Sequence, residues 1–435
     1  MITSDYHTEA IIPGELQDLK AIADVEISNI TLEGYPNLLV FPDSFDSFDR
    51  NLGKKVACNI VNDDSKLLTN SIVGFIGRNN IQLSIHSRFS DNGKDDFFLH
   101  YMLQKVAKIN LFNLQHTMDE DSVFDFLLYL FPLYLKKAIN QGIYKQYTTH
   151  KYNDANVKGI IDVNRHIRYN KPFNGRIAYT TREYSYDNDI TQLVRHTIEH
   201  IAKCKGGVDI LNIDSDTQQA VTQIASATIT YSQNEKQNII NKNLRPVVHP
   251  YYSEYAPLQR LCLQILRHEE LKYGQKKDEI YGVLIDAAWL WEEYLAIVLE
   301  GKYQHYLKDR GKRFYLFENC QQIIPDYLSI DMKTVADAKY IPLNTESFYG
   351  EEKATSIYYK TITYMHRFCS DLAYLLYPHP DEDVPPIAYK IKTEVEGVNG
   401  GKIIKLGLRI PSDCSTYSEF AKLMEENEKC FYNCV

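Results

Sequence analysis

At 435 residues, 44% hydrophobic and 24% charged, the chain has the make-up of a globular protein of two or three domains. A net charge of −9 excludes a wholly basic surface but leaves room for a local basic patch. No run reaches the roughly 18 apolar residues that cross a bilayer, and the eight cysteines are scattered, with only Cys430 and Cys434 close together and no histidines beside them to complete a zinc site.

The opening segment, MITSDYHTEAIIPGE, lacks the basic-then-apolar order of a signal peptide, so a reduced, cytoplasmic protein without membrane association is expected. Residues 1–115 read as a β-rich N-terminal domain that docks a partner. Asn37–Phe41, Ser71–Ile76 and Ile81–Ile85 are short β-prone runs. The last two flank the turn-prone Gly77-Arg78-Asn79-Asn80, and the alternation of Ile81, Leu83 and Ile85 predicts one buried face. A helix over Asp96–Lys108 follows.

Residues 116–275 read as a mainly helical middle region. Helices are expected over Asp121–Asn140, Asp187–Lys203, Ser215–Ser232 and Ser253–Lys272, with Tyr152–Arg182 irregular and polar. That polar stretch carries Lys151, Lys158, Arg165, Arg168, Lys171, Arg176 and Arg182 against only Asp154 and Asp162, interleaved with Tyr152, Tyr169, Phe173 and Tyr179. A DNA-backbone contact fits this composition; partner docking and a solvated loop fit it as well. Most of the 33 tyrosines read as amphipathic packing residues, with a few available to stack on bases.

Residues 276–435 change character. A helix over Ile285–Leu299 carries Trp289, Trp291, Glu292 and Glu293. A hairpin of Gln322–Ile330 and Thr334–Pro342 follows, then an acidic loop at Glu346–Glu352 and a helix over Ser356–Leu376 ended by Pro378-His379-Pro380. Strands at Lys390–Lys392 and Lys402–Leu406 close the region around the Gly397–Gly401 turn. The whole predicts an α+β multidomain chain with a C-terminal α/β domain.

The hairpin carries the chemistry. Asp326 follows Ile323-Ile324-Pro325, and Asp337 and Lys339 share one face of the next strand. Burying such charges unpaired in an apolar strand is costly. A hard divalent cation takes oxygen ligands and keeps several waters, so Asp326, Asp337 and the Ala338 carbonyl suit Mg²⁺ or Mn²⁺. Lys339 suits an anionic reaction, and together these groups point to phosphodiester hydrolysis. A salt bridge within the strand is the plain alternative. Pro42-Asp43 with Asp64-Ser65-Lys66 has similar spacing, but Asn62-Asp63-Asp64 is a polar turn signal. Glu292, on the preceding apolar helix, is chosen over Glu293 as a supporting acid. Lys360, His366 and Arg367 on the following helix could contact phosphate or face solvent.

Pro325-Asp326…Asp337-Ala338-Lys339-Tyr340, preceded by Leu290-Trp291-Glu292-Glu293-Tyr294, resembles the PD-(D/E)xK nuclease core. Over residues 70–395 the chain resembles the McrC family of restriction subunits, including its LlaJI-type members. The segments that carry this are Val73-Gly74-Phe75-Ile76, Ile81-Gln82-Leu83, Val157 to Asp162, Thr181 to Asn188, Tyr364-Met365 and Leu375 to Pro378. The resemblance implies a DNA-cutting subunit that acts on double-stranded DNA with an McrB-like AAA+ GTPase. It implies metal ligation by Asp326 and Asp337, catalysis by Lys339 and support from Glu292. Related nucleases often have Gln where Lys360 stands here. No G-x-x-x-x-G-K-[ST] loop occurs in the sequence, which agrees with nucleotide hydrolysis by another protein. Two other readings stay open: a non-catalytic adaptor that activates a motor NTPase, and a stand-alone RecB-like exonuclease.

Overall fold

The computed structural model describes residues 1–12, 14–23, 37–41, 56–61, 64–79, 81–90, 96–107, 120–204, 206–267, 280–305, 314–318, 320–343, 350–380, 384–392 and 400–435. Pro42-Asp43 and most of the acidic 346–352 segment lie outside them, as do residues 397–399 of the expected glycine turn. The protein is a mixed α+β chain that divides into two compact units, 126–269 and a second made of 1–125 with 270–435. Among the described residues no helix is long and apolar enough to cross a membrane.

The first and last thirds of the chain share a sheet. Strands β1 (Ile2–Ser4), β2 (Asn37–Phe41), β3 (Ile72–Arg78), β4 (Ile81–His86) and β5 (Ile280–Asp286) pair in the order β1-β4-β3-β5-β2. The β3–β4 hairpin forms as the sequence predicts, with Asn79 in the left-handed turn conformation. β5 falls within the expected third domain, yet it runs antiparallel to β3 and parallel to β2. Val283, Leu284 and Ile285 are buried there. Two glycines permit the close approach. Gly74 and Gly282 have φ of +120° and +144°, and a Cβ on either would lie 2.2 Å from a carbonyl oxygen of the facing strand.

Helix α1 (Phe97–Ala107) follows this sheet, and α2 (Ala287–Val298) starts where β5 ends. The helix expected from Ile285 therefore begins after a strand. Asp286 caps it, its Oδ1 accepting the N–H groups of Ala288 and Trp289 at 3.1 and 3.2 Å.

The second sheet holds β6 (Tyr303–His305), β7 (Tyr327–Ser329), β8 (Thr334–Ala338), β9 (Leu372–His379), β10 (Ile387–Lys390) and β11 (Lys402–Arg409). Their order is β6-β7-β8-β9-β11-β10. β8, β9 and β11 are parallel, and helix α3 (Gly350–Phe368) precedes β9. The helix predicted to run to Leu376 stops at Phe368, and Leu372–His379 is a strand. A continuous apolar run fits a buried helix segment or a central parallel strand equally well by periodicity. Here it is the central strand, buried from Ala373 onward. The predicted hairpin is also broken. Tyr327–Ser329 pairs with β8, whereas Cys320–Ile323 pairs with Phe314–Phe317. Pro325, which has no N–H to give to a ladder, lies at the break.

Helix α4 (Tyr417–Cys434) joins α1 and α2 in an aromatic seam. Phe98 meets Trp291 and Tyr294 at ring separations of 6.2 and 6.3 Å, and Tyr101 meets Phe420 at 6.0 Å.

In the other unit the Tyr152–Arg182 stretch, expected to be irregular, is ordered. Gln146–Asp154 and Ile177–Ser185 pair antiparallel along their whole length, Ile160–Ile161 adds a short third strand, and Val163–Tyr169 is a helix. The strands are polar on both faces, which hid them; their tyrosines and β-branched threonines were the available signal. Helices Asp189–Ile201, Ser215–Ala227 and Tyr255–Leu266 contribute to the core with Glu120–Asn140, the first of them fixed by an Asn188 capping box.

Replacing Gly282 with Ala forces both a strained φ and a clash with the Phe75 carbonyl. Urea unfolding of Gly282→Ala should show a loss of roughly 2–4 kcal/mol. A loss below about 0.5 kcal/mol, the range of an ordinary surface substitution, would contradict the close β3–β5 approach.

Candidate active site

The geometry starts from one row of side chains. On β8, Val335 and Asp337 alternate with Ala336. Val335 packs with Leu375, Ile403, Tyr364 and Met365 in the core of this sheet. Asp337 continues the same row and is 1% exposed. A carboxylate in that position requires cations, and it has two. Lys339 Nζ pairs with Oδ2, and Lys360 Nζ on α3 lies 3.6 Å from Oδ1. Burial alone would push the Asp337 carboxyl up, but the two ammonium groups hold it well below the usual carboxylate range. The same carboxylate pushes the Lys360 ammonium up.

Asp326 occupies the break after Pro325. Its Oδ2 accepts the Ala338 N–H at 2.8 Å, which ties it to the same stretch of β8. Burial, Asp337 and Glu292 together push its carboxyl well above the normal range. It nevertheless keeps a partly exposed edge. Tyr364, from α3, donates to the Ile324 carbonyl at 2.7 Å and braces the bend from behind.

Glu292 reaches the site from α2. Its Oε1 lies 3.1 Å from His305 Nε2 on β6, and its carbonyl accepts the Tyr327 hydroxyl. The neighbouring Trp291 is fully buried, and its indole N–H donates to the Leu376 carbonyl at 3.3 Å. That carbonyl also accepts the Lys339 N–H at 2.8 Å. One oxygen on β9 thus links the helix of Glu292 to the strand of Lys339. Asp326, Asp337, Lys339 and Glu292 are brought together, and Lys360 joins them. Arg367 is committed elsewhere, donating to the Tyr315 carbonyl at 2.7 Å, and His366 is exposed. The sequence reading missed His305; its position 13 residues from Glu292 gives no periodic cue, and only the β6–β7 pairing brings it in.

The donor set fits a hard cation. Both Asp337 oxygens are buried and face the two ammonium groups, Lys339 at Oδ2 and Lys360 at Oδ1, so an incoming cation would take over a charge balance that the lysines now supply. The Ala338 carbonyl accepts Lys339 Nζ at 3.2 Å and therefore faces the same side. Among the described residues no three His, Cys, Asp or Glu side chains gather into a complete cage. Such a two-carboxylate set suits an ion that keeps much of its water, as Mg²⁺ does.

The McrBC 5-methylcytosine restriction system component family matches residues 67–378. The chain belongs to the McrBC family. It is also similar to two solved structures from Thermococcus gammatolerans. One is a half-complex from the tetradecameric assembly of McrB AAA+ hexamers with bound McrC, at 14% identity and TM-score 0.47 over 100% of both chains. The other is the McrBC complex, at 14% identity and TM-score 0.30 over 73% of this chain and 89% of that one. No curated protein matches the sequence.

This McrBC family member has its basic residues of 151–182 in the other unit. Residues opposite one another in an antiparallel pair share a face. One face of the Gln146–Asp154/Ile177–Ser185 ribbon therefore carries Tyr147, Lys151, Arg182 and Tyr184, and the opposite face carries His150, Asp154 and Glu183. Arg182 lies 5.0 Å from the Tyr147 ring centroid. Arg165 is engaged internally, with Asp162 and the Tyr152 carbonyl. Lys158, Arg168, Lys171 and Arg176 are exposed.

Asp326 yields a stability prediction with a definite sign. Its folded carboxyl titrates above the unfolded one, so it favours the fold at acid pH and opposes it as pH rises past the usual carboxylate range. In EDTA, Asp326→Asn should have the higher thermal midpoint at pH 7, and its advantage should shrink toward pH 4. An advantage that grows toward acid pH would contradict the crowding of Asp326 against Asp337 and Glu292.

Proposed function

We propose that this chain is the nuclease subunit of a DNA restriction complex, cutting duplex DNA by metal-dependent phosphodiester hydrolysis when assembled with an McrB-like AAA+ GTPase. The observation that carries the reading is the meeting of Asp326, Asp337 and Lys339, with Glu292 beside them, in a chain of the McrBC family.

Asp326, Asp337 and the Ala338 carbonyl would hold Mg²⁺ or Mn²⁺, which when bound supplies charge neutralisation at the phosphate and a more acidic water. Lys339 has two acceptors at hand, Asp337 and the Ala338 carbonyl, so its ammonium is held in place before substrate arrives. From there it can stabilise negative charge that develops on the phosphate. Lys360 adds a second cation where related nucleases often have Gln, and its side chain is 48% exposed, free to turn toward substrate. Glu292, oriented by His305, stands close to Asp326, where it would hold a water of the bound ion.

The ribbon face with Lys151 and Arg182 suits a nucleic-acid backbone, since the carboxylates lie on its other side. Lys158, Arg168, Lys171 and Arg176 extend the basic character of that unit, while Arg165 has a more structural role. The partner and the duplex substrate are carried over from the family.

Cleavage assays with the cognate GTPase, GTP, Mg²⁺ and duplex DNA test the reading. Asp337→Ala should lower the cutting rate by about a thousandfold or more while leaving partner binding on a sizing column intact. Unchanged cutting would refute catalysis at this site, and an adaptor role would show as partner activation untouched by any of the site substitutions. Lys151→Ala/Arg182→Ala should weaken DNA binding and make the slope of log affinity against log salt shallower by about two. An unchanged slope would remove the ribbon from the DNA path.

A further inference from the structure

The residues that follow two strands of the N-terminal sheet meet the end of β8, with Arg88 at the centre of the contact. β1 and β4 run parallel, with Ser4 beside His86, so the residues that follow them lie together. Asp5 donates its N–H to the His86 carbonyl at 2.8 Å. Its carboxylate is buried and accepts two bonds from Arg88, the backbone N–H at 2.5 Å and Nη1 at 2.8 Å. The other arm of the guanidinium, Nη2, donates to the Tyr340 carbonyl at 3.0 Å. The guanidinium carbon also lies 5.3, 4.6 and 4.3 Å from the ring centroids of Tyr6, Phe89 and Tyr340.

Tyr340 directly follows Lys339. The Lys339 N–H is held by the Leu376 carbonyl, and the carbonyl of the following residue, Tyr340, is held by Arg88. The backbone that carries the lysine is therefore gripped on both sides, from β9 and from the N-terminal sheet. Only a planar fork can give one arm to Asp5, the other to a carbonyl, and its flat face to aromatic rings; an ammonium on a flexible stem cannot.

We propose that Arg88 is a positioning residue for Lys339, clamping the end of β8 so that the ammonium stays on Asp337 and the Ala338 carbonyl. Asp5 orients the clamp. This rests on the nuclease reading for its effect on rate, but not for its effect on backbone order. It gives the N-terminal sheet a direct mechanical connection to the site, through a residue that need not touch DNA or metal.

The test uses the full chain with Arg88→Lys and Arg88→Met, assembled with the cognate GTPase, GTP and Mg²⁺ for the cutting assays. Misplacing a reacting group by an ångström can cost about a hundredfold in rate, so kcat for DNA cutting should fall about ten- to a hundredfold while KM stays within about twofold. In hydrogen exchange, amides of 334–340 should exchange at least about tenfold faster while those of 402–409 keep their protection. Arg88→Lys retains the charge and should not rescue either readout. Wild-type exchange at 334–340, or wild-type kcat, in Arg88→Lys would overturn the proposal. Loss of protection throughout both sheets would also overturn it, reducing Arg88 to a general structural role. If the wild-type chain cuts no DNA in that assembly but 334–340 alone loses protection in the variants, the clamp stands and the nuclease reading falls.

Discussion

A buried carboxylate in the apolar face of a sheet has to be matched by positive charge, and at Asp337 that requirement shapes everything around it. Lys339 directly follows the same strand, and Lys360 comes from the helix that covers the face. Asp326 is itself buried and then crowded against that carboxylate, and together these hold its carboxyl above the usual range. The result is a cluster whose charges are balanced at the level of Asp337 and unresolved at Asp326. Such an arrangement costs stability in the free protein and leaves oxygen atoms ready for an incoming cation.

The supporting structure serves this cluster through backbone groups. Leu376 on β9 offers one carbonyl to both Trp291 and Lys339. Ala338 offers its N–H to Asp326 and its carbonyl to Lys339. Because these groups belong to strands and to a packed helix, their positions are set by sheet pairing and by the aromatic seam. The rigid scaffold thus fixes the first layer of side chains, which a catalytic site needs.

Much of this was legible in the sequence, but unevenly. The alternation of Ile81, Leu83 and Ile85 and the adjacent turn identified one hairpin, because a half-buried antiparallel pair writes its period into the chain. Asp326, Asp337, Lys339 and Glu292 could be grouped because short motifs keep their members close or on adjacent elements. The apolar run Leu372–Tyr377 was misread as helix, since a strand buried on both faces has no alternation to show. The broken ladder at Pro325 was passed over although proline could have marked it. The ribbon around Tyr152 and Arg182 is mostly polar, with burial confined to Ala178 and Tyr179 on its second strand, too little to write an alternation. The union of β5 with β2 and β3, and the meeting of Arg88 with Tyr340, depend on pairings across some 200 residues or more, for which a single sequence holds no local signal.

Asp326 and Asp337 are proposed as the binding site of a divalent ion. That role can be tested without DNA or partner by titrating Mn²⁺ into the purified chain and following the free ion by electron paramagnetic resonance. The wild-type chain should bind saturably, with binding strongly weakened in Asp326→Asn and abolished in the Asp326→Asn/Asp337→Asn double variant, the fold being retained. Equal Mn²⁺ affinity in the wild type and the folded double variant would contradict that role.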